Sequence, residues 1–236
     1  MVPIADRILF EDNHLLVVNK LPSEIVQGDK TGDVALIDEV KQYLKLKYNK
    51  AGNVFAGLVH RIDRPVSGAV IFAKTSKALT RMTVMMKDRE LQKSYLAIVR
   101  GKPTKTNDRL EHFLIKNESK NKSFVVDAER SGAKKAILDY VIIGHSVSYT
   151  LLEITLHTGR HHQIRAQLSA IGMPILGDLK YGDKRSLPDA SIALHALRLH
   201  FVHPVTDNEI TIVAPPSKES QQWQVFEKTI SESYFL

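Results

Sequence analysis

The sequence predicts an α+β fold with a mainly antiparallel mixed sheet that is flanked by helices. Apolar runs of strand length outnumber helical patterns along the chain. Several neighbouring strand patterns are separated only by short polar turns, which is typical of hairpins. Because no internal repeat or linker-like stretch interrupts the chain, we expect residues 1–236 to form a single domain.

The first elements are a strand pair and a helix. Residues 8–10 and 15–19 read as strands around a polar turn. Asp33 is a candidate N-cap for a helix that runs to about Tyr48. The apolar face of this helix consists of Leu36, Ile37, Val40, Tyr43 and Leu44.

A second helix follows a buried strand at 69–73. Ser76 is its candidate N-cap, and the helix is expected to end near Lys87. Its core stripe comprises Ala78, Leu79, Met82, Met85 and Met86. A strand at 93–101 comes next and places Tyr95, Ala97 and Val99 on one face.

The second half of the chain contains an exposed hairpin region at 102–132. Its cations could follow phosphates or could simply be solvated, and the sequence favours a solvated surface. They are Lys102, Lys105, Arg109, Lys116, Lys120 and Lys122.

Long strands are then predicted at 135–143 and 148–157. A helix follows from about His161 to Ile171, with a buried stripe of Ile164, Leu168 and Ile171. Gly172 suits a left-handed helix end. The remaining elements are strands at 192–201 and 209–213 and a last short helix that carries Trp223 and Phe226.

Composition narrows the possible classes of function. The chain of 236 residues has a net charge of +7, which suits a polyanionic partner without requiring one. It has no cysteine, so thiolate zinc sites, disulfides and cysteine nucleophiles are excluded. No apolar run reaches the ~18 residues of a membrane span, and the N-terminal residues lack a signal-peptide pattern. We therefore expect a cytoplasmic protein without a membrane partner.

One polar cluster precedes the buried strand at 69–73. Asp63 lies between Arg61 and Arg64, and Pro65 stiffens the turn. Gly68 provides backbone freedom where the strand begins. A carboxylate held between cations in a stiff turn is either a catalytic group or a solvated ion pair.

The segment 159–165 is the other unusual cluster. It places Arg160, His161, His162 and Arg165 at a helix start, where cations oppose the helix dipole. Such an arrangement indicates an anionic ligand, although pairing with local carboxylates is an equal alternative. His157 and His161 do not share one helix, and no carboxylate stands at a ligand spacing, so we expect no metal site.

These residues belong to blocks by which the sequence resembles the RluA family of RNA pseudouridine synthases. The blocks follow the family's order over roughly residues 8–216. They lie at 11–20, 60–63 with 67–68, 93–97, 158–165, 172–178, 181–182, 194–201 and 203–204. The resemblance implies the pseudouridine synthase fold with a central active-site cleft.

The resemblance also implies site roles. Asp63 is the expected catalytic carboxylate, and Tyr95 is expected to stack on the target base and accept the proton of its carbon 5. Arg165 is expected to pair with Asp63 and keep it ionised. Arg61 is expected to help displace the base. The full set of expected substrate-binding residues is His60, Arg61, Arg160, His162 and Gln163.

The implied activity is isomerisation of uridine to pseudouridine in ribosomal or transfer RNA, without a cofactor or metal, by a monomer. A non-catalytic RNA-binding protein on the same scaffold is the alternative. Many relatives carry a small N-terminal RNA-binding module, and this chain resembles the catalytic domain alone. Two departures affect turns: Val66 stands where Thr is usual, and Lys20-Leu21-Pro22-Ser23 replaces Lys-Pro-x-Gly.

Overall fold

A computed structural model describes residues 2–29 and 31–235. The chain divides into two compact units, each of which is described separately. The first unit contains Met1–Gln92 and Ala196–Pro215, and the second contains Lys93–His195 and Pro216–Leu236. The expectation of one catalytic domain over the whole chain remains a prediction.

The first unit is built on an antiparallel sheet with two helices. Its strands are β1 (Ile8–Glu11), β2 (Leu15–Lys20), β3 (Gly57–Leu58), β4 (Ser67–Ala73), β10 (Leu194–Val202) and β11 (Glu209–Val213), of which β10 begins in the second unit. Its helices are α1 (Leu36–Lys47) and α2 (Ser76–Asp88). The pairs β1–β2, β2–β4, β3–β4 and β10–β11 are antiparallel.

Both faces of strands β2 and β4 are buried, as their uninterrupted apolar sequences predict. Helix α2 packs Ala78, Met82 and Met85 onto one face, against Val17 and Ile71 of the two strands. The methionines therefore fill the core, and the predicted stripe of α2 is confirmed.

The second unit contains a second antiparallel set of strands. They are β5 (Gln92–Arg100), β6 (Asn107–Asn117), β7 (Lys122–Val126), β8 (Lys134–His145) and β9 (Tyr149–Leu156), in the order β5-β9-β8-β6-β7, and only Gln92 of β5 belongs to the first unit. Its helices are α3 (Gln163–Ala170), α4 (Gln221–Gln224) and α5 (Glu227–Tyr234). The predicted exposed hairpin is the β6–β7 pair, whose register joins Phe113 to Val126 and Asn117 to Lys122.

The predicted α+β class is confirmed, since strands outnumber α-helices in the described residues and the registered strand pairs are antiparallel. Several predicted helix ends are wrong. Ala35 rather than Asp33 precedes α1, because Asp33 pairs instead with Arg64 at 2.8 Å. Thr75, not Ser76, caps α2 by accepting the Ala78 N–H.

The other differences lie in the second unit. Helix α3 begins at Gln163 rather than near His161, and Ile171 is 38% exposed instead of buried. The predicted C-terminal helix is two short helices, with Trp223 in α4 and Phe226 immediately before α5. No helix among the described residues is long and apolar enough to span a membrane.

Candidate active site

Asp63 lies in a tight turn that leads from β3 into β4. The turn is closed by a hydrogen bond from the Val66 N–H to the Asp63 carbonyl oxygen at 3.0 Å. Val66 is 2% exposed, so the residue that replaces the family's usual Thr is part of the core. Asp63 itself is half-buried, whereas the flanking Arg61 and Arg64 are exposed. The turn therefore fixes the backbone of the carboxylate that the sequence singles out.

Lys20 anchors this turn from the end of strand β2. Its side chain is fully buried, and its three ammonium protons reach three backbone carbonyl oxygens: Leu21 at 2.8 Å, Glu24 at 2.8 Å and Arg64 at 3.1 Å. Arg64 also accepts the Ser23 N–H at 2.9 Å. Lys20 Nζ and the Ser23 N–H thus both donate to the Arg64 carbonyl oxygen. These two bonds hold the turn that contains Asp63.

Burial of the Lys20 ammonium lowers its pKa to about 7, although the negative charges of Glu24 and Asp63 act in the opposite direction. Asp63 is therefore close enough to Lys20 to influence its charge. Ser23 has a φ of 70°, in the left-handed region that favours glycine. The family usually has Gly at this position, so the serine of this chain imposes some backbone strain on the turn.

His60 supports the same region by completing a strand pairing. The Ile71 N–H of β4 donates to His60 Nε2 at 3.3 Å, next to the β3–β4 register at Leu58 and Phe72. The ring is 8% exposed. A neutral His60 that accepts at Nε2 carries its proton on Nδ1. His60 therefore has a structural contact, and its expected role in substrate binding remains a prediction.

Gly68 is required where β4 follows the Asp63 turn. Its φ is 116°, and a Cβ atom there would lie 2.3 Å from the carbonyl oxygen and 2.5 Å from the nitrogen of Ala196. Both are backbone atoms of β10, so they cannot move aside as a flexible side chain could. Only glycine allows this close approach.

Tyr95 lies on β5 in the second unit. It pairs with Ile154 of β9 and is 8% exposed. Lys93, two residues earlier, therefore projects from the same face of the strand. Burial lowers the pKa of Lys93. Its Nζ lies 3.8 Å from where a Cβ on Gly159 would stand, so the strand reaches the segment that precedes α3.

Arg165, on α3, is held by a carboxylate that the sequence analysis did not connect with it. Its Nε donates to Asp178 Oδ2 at 2.7 Å and its Nη2 to Asp178 Oδ1 at 2.9 Å. The two residues are 5% and 1% exposed. The Tyr181 ring lies beneath the guanidinium, and the distance between the ring centroid and Arg165 Cζ is 4.9 Å. The two-point contact and the ring fix the plane of the Arg165 side chain.

His162 is connected to the same cluster. The Tyr181 hydroxyl accepts the Ser123 N–H at 2.8 Å and lies 3.0 Å from His162 Nδ1. The hydroxyl and His162 Nδ1 share one hydrogen bond, and the tautomer of the ring sets which of them donates. Burial, followed by the charges of Arg165 and other nearby cations, lowers the pKa of His162 to about 2. His162 is consequently neutral at physiological pH.

Gln163 shapes the loop between β9 and α3. Its Oε1 accepts the Thr158 hydroxyl at 2.8 Å and the Arg160 N–H at 3.0 Å, and its Nε2 donates to the Ile137 carbonyl at 3.0 Å. Arg160 Nε donates to the Lys135 carbonyl at 3.0 Å. These contacts orient the segment 158–163, while direct binding of substrate by Arg160 and Gln163 remains a prediction.

His157 and His161, the two candidate metal ligands, have other contacts. His157 Nε2 lies 2.7 Å from Asp139 Oδ2. The His161 ring stacks on His162 with centroids 3.8 Å apart, and its Nδ1 and Nε2 lie 2.9 Å from Ser123 Oγ and 3.1 Å from Asn121 Oδ1.

The predicted site residues are distributed over both units. The first unit holds His60, Arg61 and Asp63, and the second holds Tyr95, Arg160, His162, Gln163 and Arg165. Within the second unit the structure brings His162 and Arg165 together around Tyr181. The pairing of Asp63 with Arg165 and the central cleft remain predictions.

Sequence reasoning missed the supporting residues Lys20, Asp178 and Tyr181. All three lie inside blocks that resemble the RluA family, which was the available signal. Their partners are distant in sequence: Lys20 reaches Arg64 across 44 residues, and Tyr181 reaches Ser123 across 58. No local pattern specifies such contacts.

Comparison with known proteins gives the family. Residues 14–170 match the family described as RNA pseudouridylate synthase. The ribosomal large subunit pseudouridine synthase C of Buchnera aphidicola subsp. Acyrthosiphon pisum (strain APS) is 34% identical over 229 residues, which cover 93% of this chain and 70% of that protein. The tRNA pseudouridine synthase C of Pasteurella multocida (strain Pm70) is 32% identical over 234 residues, which cover 92% of each chain.

Two solved structures have the same fold. Human RNA Pseudouridylate Synthase Domain Containing 4 superposes with a TM-score of 0.78 at 22% identity, covering 96% of this chain and 92% of that chain. The human Domain Containing 1 protein gives a TM-score of 0.69 at 21% identity, with coverages of 94% and 93%.

The fold and the matched residues define an RNA-modifying isomerase. More specifically, the chain belongs to the RNA pseudouridylate synthase family, and its curated relatives are of the RluA type.

Proposed function

We propose that this protein converts uridine to pseudouridine in ribosomal or transfer RNA, with Asp63, Tyr95 and Arg165 as its catalytic residues. The observation that carries the proposal is the family match over residues 14–170, which contains all three residues. The relatives named above act, by their names, on ribosomal large subunit RNA and on tRNA. A monomeric, cytoplasmic enzyme without a metal is part of the same proposal.

The reaction breaks the N1–C1′ glycosidic bond, turns the uracil and joins its carbon 5 to C1′. Carbon 5 then loses its proton and N1 gains one, so the product is an isomer of the substrate. In this proposal the Asp63 carboxylate acts next to the sugar, and its turn is already fixed by Lys20 and the Val66 N–H. Preorganisation of this kind lowers the cost of reaching a reactive geometry.

Tyr95 is proposed to stack on the uracil and to accept the carbon 5 proton. The uracil must leave its stack in the RNA first, which costs a few kcal/mol. Stacking on an aromatic side chain returns about 1–3 kcal/mol of this.

Arg165 is proposed to keep Asp63 ionised. The Asp178 carboxylate and the Tyr181 ring hold the guanidinium in one plane, so its charge is presented in a fixed direction. A lysine at this position has no planar fork and cannot make the two-point contact with Asp178.

Release of tritium from RNA labelled at carbon 5 of uridine tests the proposed chemistry. We expect the wild-type protein to release tritium and Asp63→Asn to release none, while the variant still folds and binds RNA. Asp38→Asn is the matched control, because Asp38 is an exposed helix residue that pairs only with Lys41 among the described residues. Substantial release by Asp63→Asn contradicts the assigned role.

The same assay distinguishes the roles of Tyr95. Tyr95→Phe keeps the stacking surface and is expected to bind RNA with little turnover. Tyr95→Ala is expected to lose affinity as well, since the base has no ring on which to stack. Near-native release by both variants removes Tyr95 from the mechanism. A wild-type protein that binds RNA without releasing tritium is instead a non-catalytic RNA-binding protein.

A further inference from the structure

Two lysine side chains cross between the β6–β7 hairpin and the loop that carries Tyr181. Lys122 Nζ donates to the Lys180 carbonyl oxygen, and Lys180 Nζ donates to the Asn121 carbonyl oxygen at 3.2 Å. Each ammonium is thus bound to the backbone of the opposite segment. The exchange fixes both ammonium groups by backbone carbonyl oxygens rather than by carboxylates.

Further contacts to the Tyr181 and His161 rings support this crossing. The Lys122 ammonium lies over the Tyr181 ring, 4.8 Å from its centroid, and the Ser123 N–H donates to the Tyr181 hydroxyl. His161 bridges Ser123 Oγ and Asn121 Oδ1. The hairpin tip, the segment before α3 and the 179–181 loop are therefore held together as one surface.

The cations along the hairpin differ sharply in whether a carboxylate neutralises them. Four cations before or on β6 and on the neighbouring β8 are paired with acids: Lys105 with Asp108, Arg109 with Asp139, Lys116 with Glu118 and Lys135 with Glu111. At its tip, Lys120, Lys122 and Lys180 have no carboxylate partner among the described residues, and neither does Arg160.

We call Lys120, Lys122, Lys180 and Arg160 the tip surface. A lysine has three donors, and the described contacts of Lys122 and Lys180 each use one. Their positions are fixed by backbone carbonyls rather than by acids, so their charge is not neutralised within the protein. Fixed cations with remaining donors suit phosphate oxygens, which attract them without regard to sequence.

We infer that the tip surface binds the phosphate backbone of the substrate RNA and so extends the contact beyond the target nucleotide. The inference rests on the proposed function, and it assigns five of the six 102–132 cations to one of the two alternatives. Lys102 has no acid partner among the described residues and lies outside the tip surface. Those paired with acids belong to the solvated surface, whereas Lys120 and Lys122, joined by Lys180, contact phosphate.

The test is the salt dependence of RNA binding by Lys120→Gln/Lys180→Gln, with an unmodified transcript of bacterial large-subunit ribosomal RNA as the probe. Glutamine at 180 can still donate to the Asn121 carbonyl, so the fold is expected to persist. Loss of two phosphate contacts is expected to make the slope of log affinity against log salt about 2 units shallower.

Lys41→Gln/Lys105→Gln is the matched control. It removes the same charge, and each lysine pairs with an aspartate three residues away, Lys41 with Asp38 and Lys105 with Asp108. Its slope is expected to equal that of the wild type. Equal slopes for the tip variant and the wild type, or the same reduction in both double variants, overturn the inference.

Tritium release by the wild-type protein separates this inference from the proposed function. If the wild type releases tritium while the tip variant binds with an unchanged slope, the tip surface does not bind phosphate and the proposed function is unaffected. If the wild type neither binds RNA nor releases tritium, both are wrong.

Discussion

Glu11 connects helix α1 to the sheet of the first unit, and Glu11→Gln tests how strongly this connection stabilises the unit. Its carboxylate accepts hydrogen bonds from Tyr43 and Lys47 at 2.9 and 2.8 Å, and from Tyr48 and Lys74 at 2.6 and 2.8 Å. The Glu11 side chain is 8% exposed and that of Lys74 is 7% exposed. The carboxylate itself is therefore shielded from water, whereas Lys47 and Tyr48 remain partly exposed.

Burial raises the pKa of Glu11, but the hydrogen bonds from the two lysines and two tyrosines outweigh it and lower the pKa from 4.5 to about 2. A shift of this size corresponds to about 3 kcal/mol of stability. Because the folded-state pKa is the lower one, this stability is fully present above pH 4.5. It is lost as the pH falls through about 2.

Urea unfolding measures the effect. At neutral pH we expect Glu11→Gln to lower the free energy of unfolding by about 3 kcal/mol, and at about pH 3 by less than half of that, since the wild type has lost most of the advantage by then. Glu118→Gln, in an exposed pair with Lys116, is expected to change stability by less than about 1 kcal/mol. An equal loss at both pH values refutes the electrostatic explanation.

Three further substitutions test other parts of the structure by the same unfolding assay. Gly68→Ala is expected to cost about 2–5 kcal/mol, because its φ of 116° is strained for alanine and Ala196 backbone blocks a Cβ; a neutral effect contradicts the close approach. Ser23→Gly is expected to change the free energy of unfolding by less than about 1 kcal/mol. Glycine adopts the φ of 70° without strain, but it also gives the unfolded chain more conformational freedom, and the two effects oppose each other. A larger loss means that the serine side chain itself contributes to stability. Asp178→Asn is expected to cost about 3–5 kcal/mol by removing the carboxylate charge that faces the buried Arg165 guanidinium, and a loss below 1 kcal/mol argues against that pair.

The sequence was most informative where one local pattern determines an element. Strands β2 and β4 and the core stripe of α2 follow directly from apolar periodicity, and the structure confirms them. Gly172, with a φ of 76°, ends the α3 region as expected from its position before Pro174.

Helix ends were less predictable because several polar residues compete for one cap. Asp33 is a good cap by type, yet it lies two residues too early and pairs with Arg64. Thr75 and Ser76 are both suitable, and the geometry selects Thr75. Ile171 fits the helical period of α3 but lies after the last helical turn, where the chain already leaves the core.

The supporting residues of the candidate site depend on contacts between distant segments. The sequence identifies Arg165 as important but cannot show that Asp178 shares its guanidinium. It places Lys20 in a block that resembles the family but cannot show that its ammonium reaches the Arg64 carbonyl. The resemblance to a family supplies the roles of Asp63 and Tyr95, whereas the structure supplies the groups that hold the Asp63 turn.

Nucleoside analysis of RNA after incubation with the purified protein tests the central claim most directly. The wild type is expected to convert specific uridines of an unmodified ribosomal or transfer RNA transcript to pseudouridine without added cofactor, and Asp63→Asn, folded and RNA-binding, is expected to form none. Equal pseudouridine formation by the two proteins, or none by the wild type on either class of RNA, contradicts the account.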